Sequence, residues 1–269
     1  LGVKDLNETA GLRTTWGSPI WKDHVPAKDE RMVAACRAAG AIVVGKTNVP
    51  EFGAGANSNN PVYGPSGNPF DPKRIPGGSS GGSAVALATN MLPICTGSDG
   101  GGSLRIPAAF CGIVGFRPSP GLVPTDKRGQ GWNMIPTHGP MGRTVADTCL
   151  LLSAQAAFDE RDPLSRPVDS ESFLDPVPVD LSQLRVGYTL DWGTCPVDTR
   201  IAQTFGKRIA KLKTLFRSLD PIAPDMGRAH EAFGVLRATG MLNNQRENYT
   251  KRRHLLGPNM VANYEEGLR

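Results

Sequence analysis

Four serines set among glycines are the residues of this sequence best suited to chemistry. Ser79, Ser80 and Ser83 lie in PGGSSGGS, and Ser103 closes GSDGGGS. A serine hydroxyl is a poor nucleophile at neutral pH and becomes useful only with a base within hydrogen-bond reach. Glycine at this density is costly in backbone entropy and is tolerated where the chain takes positive φ or approaches a ligand closely. Flexible linkers share the composition. Here, however, apolar Ala84 to Ala88 and the strand-like Leu92 to Cys95 interrupt the run, and a solvated linker lacks such segments.

Two formal patterns nearby are weaker. Gly40, Gly45, Lys46 and Thr47 satisfy the expression for a phosphate-binding loop, but that loop needs a glycine-rich coil to curl its N–H groups around a phosphate. The intervening Ala41, Ile42, Val43 and Val44 predict a buried strand instead. Gly77, Ser79 and Gly81 match the nucleophile elbow G-x-S-x-G, which calls for a downstream acid and histidine. Neither His138 nor His230 stands in a recognisable context, and the pattern arises by chance in glycine-rich sequence.

The elements that must position these serines follow from periodicity and caps. Leu1 to Lys4 reads as a strand, Ala27 to Ala39 as a helix with Gly40 as its cap, and Ala41 to Val44 as the next strand. Pro50 to Pro76 reads as a long irregular segment beside the serine loops, and long loops of that kind are commonly functional. Ile113 to Phe116 is a strand candidate and Pro118 to Trp132 a loop. Thr144 caps a helix reaching about Ala157, with Val145, Cys149, Leu151 and Leu152 inward. Asp162 to Asp180 reads as a linker or surface excursion. Beyond it come a strand at Leu184 to Tyr188, a basic helix at Thr199 to Leu219, and helices at Arg228 to Asn244 and Leu255 to Leu268. Helix and buried strand in alternation point to α/β layering.

Composition bounds the rest. The 269 residues are 39% hydrophobic and 20% charged with a net charge of +5, ordinary for a globular protein with a sizeable core. The basic clusters at Arg200 to Arg217 and Lys251 to Arg253 lack the interleaved aromatics of a base-stacking surface. Cys36, Cys95, Cys111, Cys149 and Cys195 are scattered without a C-x-x-C pair and read as buried thiols in a reducing, cytoplasmic compartment. The four histidines have no metal-ligand spacing, and no apolar run reaches membrane-spanning length.

Taken together, GGSSGGSAVALA and GSDGGGSLRIPAAFCGIVGFRPSPG resemble the amidase signature family of serine hydrolases. The likeness extends to GVKDLNETAGLRTTWGSPIW, AAGAIVVGKTNVPEF and HGPMGRTVADTCLLLS, dense over about residues 1–155 and looser over about 180–269. It implies a mixed, mostly parallel sheet covered by helices, and a Ser-Ser-Lys triad. Ser103 would be the nucleophile, Ser79 the bridging serine on a cis peptide bond, and Lys4 the base. The sequence by itself reads Lys4 as exposed and unimportant. Lysine serves as a base only when neutral, which burial promotes. The run Gly100, Gly101 and Gly102 leaves backbone N–H groups open to a carbonyl oxygen as an oxyanion hole. Asp99 and Arg105 are read as bracing that loop, and Ser80 and Ser83 as shaping theirs, with Ser80 able to donate to the relay.

The expected reaction is hydrolysis of a small carboxylic amide through an acyl-enzyme, with no cofactor and no metal. The expected partner is that small molecule, with no direct nucleic-acid contact and no membrane, and a homodimer is left open. One alternative is the A subunit of an aminoacyl-tRNA amidotransferase, which uses the same signature on glutamine. After GKTN its sequence usually resembles SSTENSAFGPTKNPW, whereas this chain has GANSNNPVYGPSGNPFD, which leans toward a stand-alone amidase. The other alternative is a catalytically silent fragment. Members of the family continue on both sides of the segment seen here, so the domain over 1–269 is expected to be partial and incomplete at both ends. Within it the loop Pro118 to Thr137, with Trp132 and Met134, is a candidate wall of the acyl pocket.

Overall fold

The computed structural model describes residues 1–269, which pack as two units, Leu1–Pro176 with Val235–Arg269, and Val177–Gly234. The larger unit contains β1 (Gly2–Lys4), α1 (Arg31–Ala38), β2 (Gly45–Thr47), the short hairpin β3 (Asn59–Asn60) and β4 (Gly64–Pro65), α2 (Gly81–Ala88) and β5 (Ile94–Asp99). It continues through α3 (Arg105–Cys111), β6 (Val114–Gly115), β7 (Thr137–Gly142) and α4 (Val145–Gln155).

Its mixed sheet has the order β2-β1-β5-β7-β6. β1 runs parallel to both β2 and β5, and β7 runs antiparallel to β5 and β6. Helices cover both faces. Leu1 and Val3 pack with Met32, Val33 and Cys36 of α1 and with Leu151 and Leu152 of α4. Cys95 and Met141 pack with Ala84 and Leu87 of α2 and Leu104 and Cys111 around α3. Burying a leucine such as Leu87 or Leu104 contributes about 2 kcal/mol, so both faces hold the sheet. No helix is long and apolar enough to cross a membrane.

The smaller unit is a β-α-β crossover. β8 (Arg185–Tyr188) lies parallel to β9 (Ser218–Pro221), joined by α5 (Thr199–Leu212), whose first turn is capped by Asp198. The chain then forms α6 (Ala229–Arg252) and α7 (Pro258–Gly267).

Several local expectations change. The strand predicted at Ala41 to Val44 forms instead at Gly45–Thr47, and Ile42 and Val44 are exposed. Pairing with β1 draws polar residues into the ladder: Lys46 sits opposite Val3 and reaches Asn7, Thr9 and Thr14. That strand leaves no phosphate-binding coil around Lys46. α1 starts at Arg31, because Glu30 and Asp29 use their carboxylates on Asn7, Glu8 and Ala10. The basic helix stops at Leu212, and Leu219 belongs to β9. The helix capped by Thr144 turns Thr148, Leu151, Leu152 and Gln155 inward, with Val145 exposed. Strand β7 carries Gly and Pro, residues of low strand propensity, so its pairing with β5 is decided by tertiary context. Three of the five cysteines are buried, but Cys195 is exposed and Cys149 half-buried; all five are free thiols.

Candidate active site

The larger unit brings the ends of β1 and β5 side by side, at the carboxyl edge where α/β sheets place their ligands. Lys4 is the last residue of β1 and Asp99 the last of β5. The Gly100 to Gly102 run and Ser103 follow Asp99 directly, and the Gly78–Ser79 peptide, which is cis, leads into α2.

Lys4 is fully buried. Its backbone N–H donates to Thr96 Oγ1 at 2.9 Å, which fixes the strand end. Its Nζ lies 2.7 Å from Ser79 Oγ, 2.8 Å from Ser80 Oγ and 2.9 Å from Ser98 Oγ, with the Ser98 carbonyl at 3.4 Å. Burial lowers its pKa from 10.5 to about 7, against the opposing pull of the Asp99 carboxylate. The amine is therefore available in neutral form near neutral pH.

Ser80 occupies the position before α2 yet makes no capping bond. Its hydroxyl is committed to Lys4 and to the Ser98 carbonyl at 3.3 Å. Helix α2 is held instead by Ser58 Oγ, which accepts from the Gly81 N–H at 2.9 Å, and by the Asn48 carbonyl, which accepts from Gly82 at 3.1 Å. Gly82 has no room for a side chain, since a Cβ there would sit 2.2 Å from the Asn48 nitrogen. Ser83 ties the helix to the sheet: its Oγ lies 2.6 Å from Thr47 Oγ1 and donates to the Thr96 carbonyl at 2.9 Å.

Asp99 organises the other loop. It is fully buried and accepts from the N–H groups of Gly102 at 2.7 Å and Leu104 at 3.3 Å. Arg105 donates to both of its oxygens, at 2.9 and 3.1 Å, and Arg117 donates to its carboxylate and backbone carbonyl. Burial raises the Asp99 pKa, but the bonds from Arg105 and the backbone outweigh it and hold the carboxyl below the usual range. Gly102 has φ +111°, a conformation that favours glycine.

Lys4, Ser79 and Ser80 thus form one hydrogen-bonded group. Ser103 joins it through the backbone, its carbonyl accepting from the Ser80 N–H at 3.3 Å, while its half-buried side chain bonds no protein group. Within the glycine run the Gly102 N–H is already engaged by Asp99. The donors left open are those of Gly100, Gly101 and Ser103 itself. Of the three glycines expected to line an oxyanion hole, Gly102 has its N–H bonded to Asp99.

Ser98 was not singled out by sequence reasoning, although it completes the hydroxyl shell of Lys4. The only signal was a hydroxyl in GSD two residues after Thr96, a weak one inside a glycine-rich run. Lys46, whose pKa burial lowers to about 8 against Asp5 and Glu30, is bonded to Asn7, Thr9 and Thr14 and makes no bond to the serines.

This arrangement of sheet, helices and serine loops is that of an established family. The chain belongs to the Amidase family, whose sequence profile matches residues 1–258. It is 38% identical over 239 residues to the A subunit of glutamyl-tRNA(Gln) amidotransferase from Natronomonas pharaonis, covering 88% of this chain and 56% of that protein. The relative of the same name from Thermus thermophilus is 44% identical over 187 residues, 70% of this chain and 40% of the relative. Among solved structures, a bacterial aryl acylamidase of the amidase signature family superposes with a TM-score of 0.84 at 27% identity, over 98% of this chain and 57% of that one. The A subunit of glutamyl-tRNA(Gln) amidotransferase from Thermotoga maritima superposes with a TM-score of 0.78 at 28% identity, over 98% and 60%. The chain spans about half the length of the curated relatives it matches.

Proposed function

We propose that this chain hydrolyses amide bonds through an acyl-enzyme on Ser103, with Ser79 as proton relay and Lys4 as general base. The observation that carries the reading is Lys4: a fully buried amine with its pKa lowered to about 7, 2.7 Å from the Ser79 hydroxyl. A neutral amine offers two N–H groups and one lone pair. Ser80, whose own proton faces the Ser98 carbonyl, and Ser98 can accept the two N–H groups, which leaves the lone pair for the Ser79 proton.

In the reaction Lys4 accepts the proton of Ser79 as Ser79 accepts that of Ser103, and Ser103 Oγ bonds to the amide carbon. Charge builds on the carbonyl oxygen, for which Gly100, Gly101 and Ser103 N–H are the donors; each such donor contributes about 3 kcal/mol. Collapse breaks the C–N bond while the proton returns through Ser79 to the departing nitrogen. Water then attacks the acyl-enzyme by the same relay and releases the acid. Asp99, braced by Arg105 and Arg117, fixes the loop that presents Ser103.

The substrate class is a small carboxylic amide. The names of the sequence relatives favour a second reading, ammonia release from glutamine in an amidotransferase, which a glutaminase assay separates from amidase activity. The free thiols support a cytoplasmic setting. The test is a fluorophosphonate probe applied to chain shown to be folded by circular dichroism: one adduct on Ser103, absent in Ser103→Ala, is expected. A folded chain that takes no label is catalytically silent, and the hydrolase reading falls.

A further inference from the structure

Two of the three open N–H groups of the nucleophile loop are fixed from behind. In a trans peptide the carbonyl and the N–H are coplanar and point opposite ways, so a bond to the carbonyl sets the direction of the N–H. The peptide that carries the Ser103 N–H has its carbonyl on Gly102, which accepts from the Ile106 N–H at 2.7 Å as α3 begins. The peptide that carries the Gly100 N–H has its carbonyl on Asp99, and that carbonyl accepts from Arg117 Nη1. Both peptides are trans. One donor is thus aimed by a helix turn and the other by a charged side chain.

Arg117 is itself held on its far side. Nη2 donates to the carbonyls of Ile135 at 2.9 Å and Met134 at 3.3 Å, while Nη1 also meets Asp99 Oδ1 at 3.3 Å. The guanidinium is a rigid planar fork, so its grip on Ile135 fixes where its other arm meets the Asp99 carbonyl. Ile135 in turn flanks Gly100, where a Cβ would lie 3.8 Å from Ile135 Cγ2. Arg105 differs. Its bonds to Asp99 go to the carboxylate, at 2.9 and 3.1 Å, from a side chain that is 59% exposed. Of the two arginines only Arg117 reaches the carbonyl. A cation there also polarises the peptide and strengthens its N–H as a donor.

We propose that Arg117 is a positioning residue for the reaction, aiming and polarising the Gly100 N–H as an oxyanion donor through the Asp99–Gly100 peptide. The inference rests on Ser103 as the nucleophile. Its test joins ¹⁵N relaxation of the free protein to fluorophosphonate labelling of Ser103, in the wild type, Arg117→Met, Arg117→Lys and Arg105→Met. The Gly100 amide should have an order parameter of about 0.85 in the wild type, fall below about 0.6 in Arg117→Met, and recover in Arg117→Lys. The Ser103 amide should stay ordered throughout, and Gly100 should stay ordered in Arg105→Met. The maximal labelling rate of Arg117→Met should fall about 10²- to 10³-fold, the loss of one oxyanion donor. The half-saturating concentration should not change, and Arg117→Lys should regain most of the rate. A Gly100 amide that stays ordered in Arg117→Met overturns the proposal. So does an equal loss of order in Arg105→Met, which would reduce Arg117 to a brace on the carboxylate. A disordered Gly100 with a labelling rate within a few-fold of wild type overturns the donor role. If the wild type takes no label, the nucleophile reading falls, and the relaxation data decide whether Arg117 fixes the peptide. Should circular dichroism show Arg117→Met unfolded, Arg117→Gln, too short to bridge Asp99 and Ile135, takes its place with the same expected outcomes.

Discussion

Replacing Lys4 with methionine separates the chemistry of the buried amine from its cost to the fold. Burial lowers the Lys4 pKa from 10.5 to about 7. Between those values the unfolded lysine holds a proton that the folded one lacks, so unfolding takes up a proton and stability rises with pH. Below pH 7 both forms are charged and the full penalty stands; above 10.5 both are neutral and it vanishes. One proton is worth about 1.4 kcal/mol per pH unit, so across this window the wild type should gain roughly 5 kcal/mol relative to Lys4→Met. Lys46 and the buried thiols, whose pKa values are also displaced, titrate in both proteins and cancel in the difference. Urea unfolding at pH 7, 8, 9 and 10 measures it. In the same wild-type protein the neutral fraction of Lys4 rises from about one in eleven at pH 6 to about ten in eleven at pH 8. Fluorophosphonate labelling of Ser103 should therefore quicken about tenfold over that range and be lost in Lys4→Met. A stability difference that is flat with pH, or a labelling rate that does not change between pH 6 and 8, would refute Lys4 as a buried neutral base.

Three further outcomes are expected. Ser79→Ala should slow Ser103 labelling by about 10²- to 10⁴-fold with an unchanged melting temperature, since Ser80 and Ser98 still bond Lys4; a rate within a few-fold of wild type means that Ser79 relays nothing. Asp99→Ala strands Arg117 and the N–H groups of Gly102 and Leu104 and should cost about 3 kcal/mol in chemical unfolding. Because the carboxyl of Asp99 is held below its usual range, its stabilisation is present above the ordinary carboxylate pKa and is lost as pH falls through the folded value, so this variant should lose less stability than the wild type on acidification. Gly82→Ala, favourable in an ordinary helix, should instead cost about 2 kcal/mol because its Cβ would meet the Asn48 backbone at 2.2 Å; a rise in melting temperature would show that the helix shifts freely.

Much of this was legible in the residues, for identifiable reasons. The cap at Thr144 is local, and both halves of its reciprocal bond with Asp147 form. The serine loops were visible because glycine density marks where backbone must lie open. The strand at Gly45–Thr47 was not visible, because the apolar Ala41 to Val44 carries the stronger local signal. Pairing with β1 overrides it, bringing Lys46 to Asn7, Thr9 and Thr14. β7 was missed for the same reason: its partner β5 lies far back in the chain, and a strand built from HGPMG has no propensity of its own.

What the sequence determined by itself was the chemistry on offer: hydroxyls in open backbone and family membership through several separate motifs, with Lys4, Ser79 and Ser103 as the triad that the family likeness implies. It named Lys4 as the base only through that likeness, since local rules put a polar lysine in solvent. Only the tertiary structure decides its burial, because the parallel ladder of β1 with β2 and β5 carries the amine under α2 and among three hydroxyls. Desolvation then lowers its proton affinity. A pKa is a property of surroundings that arrive from residues 75 to 94 positions away, and no window along the sequence contains them.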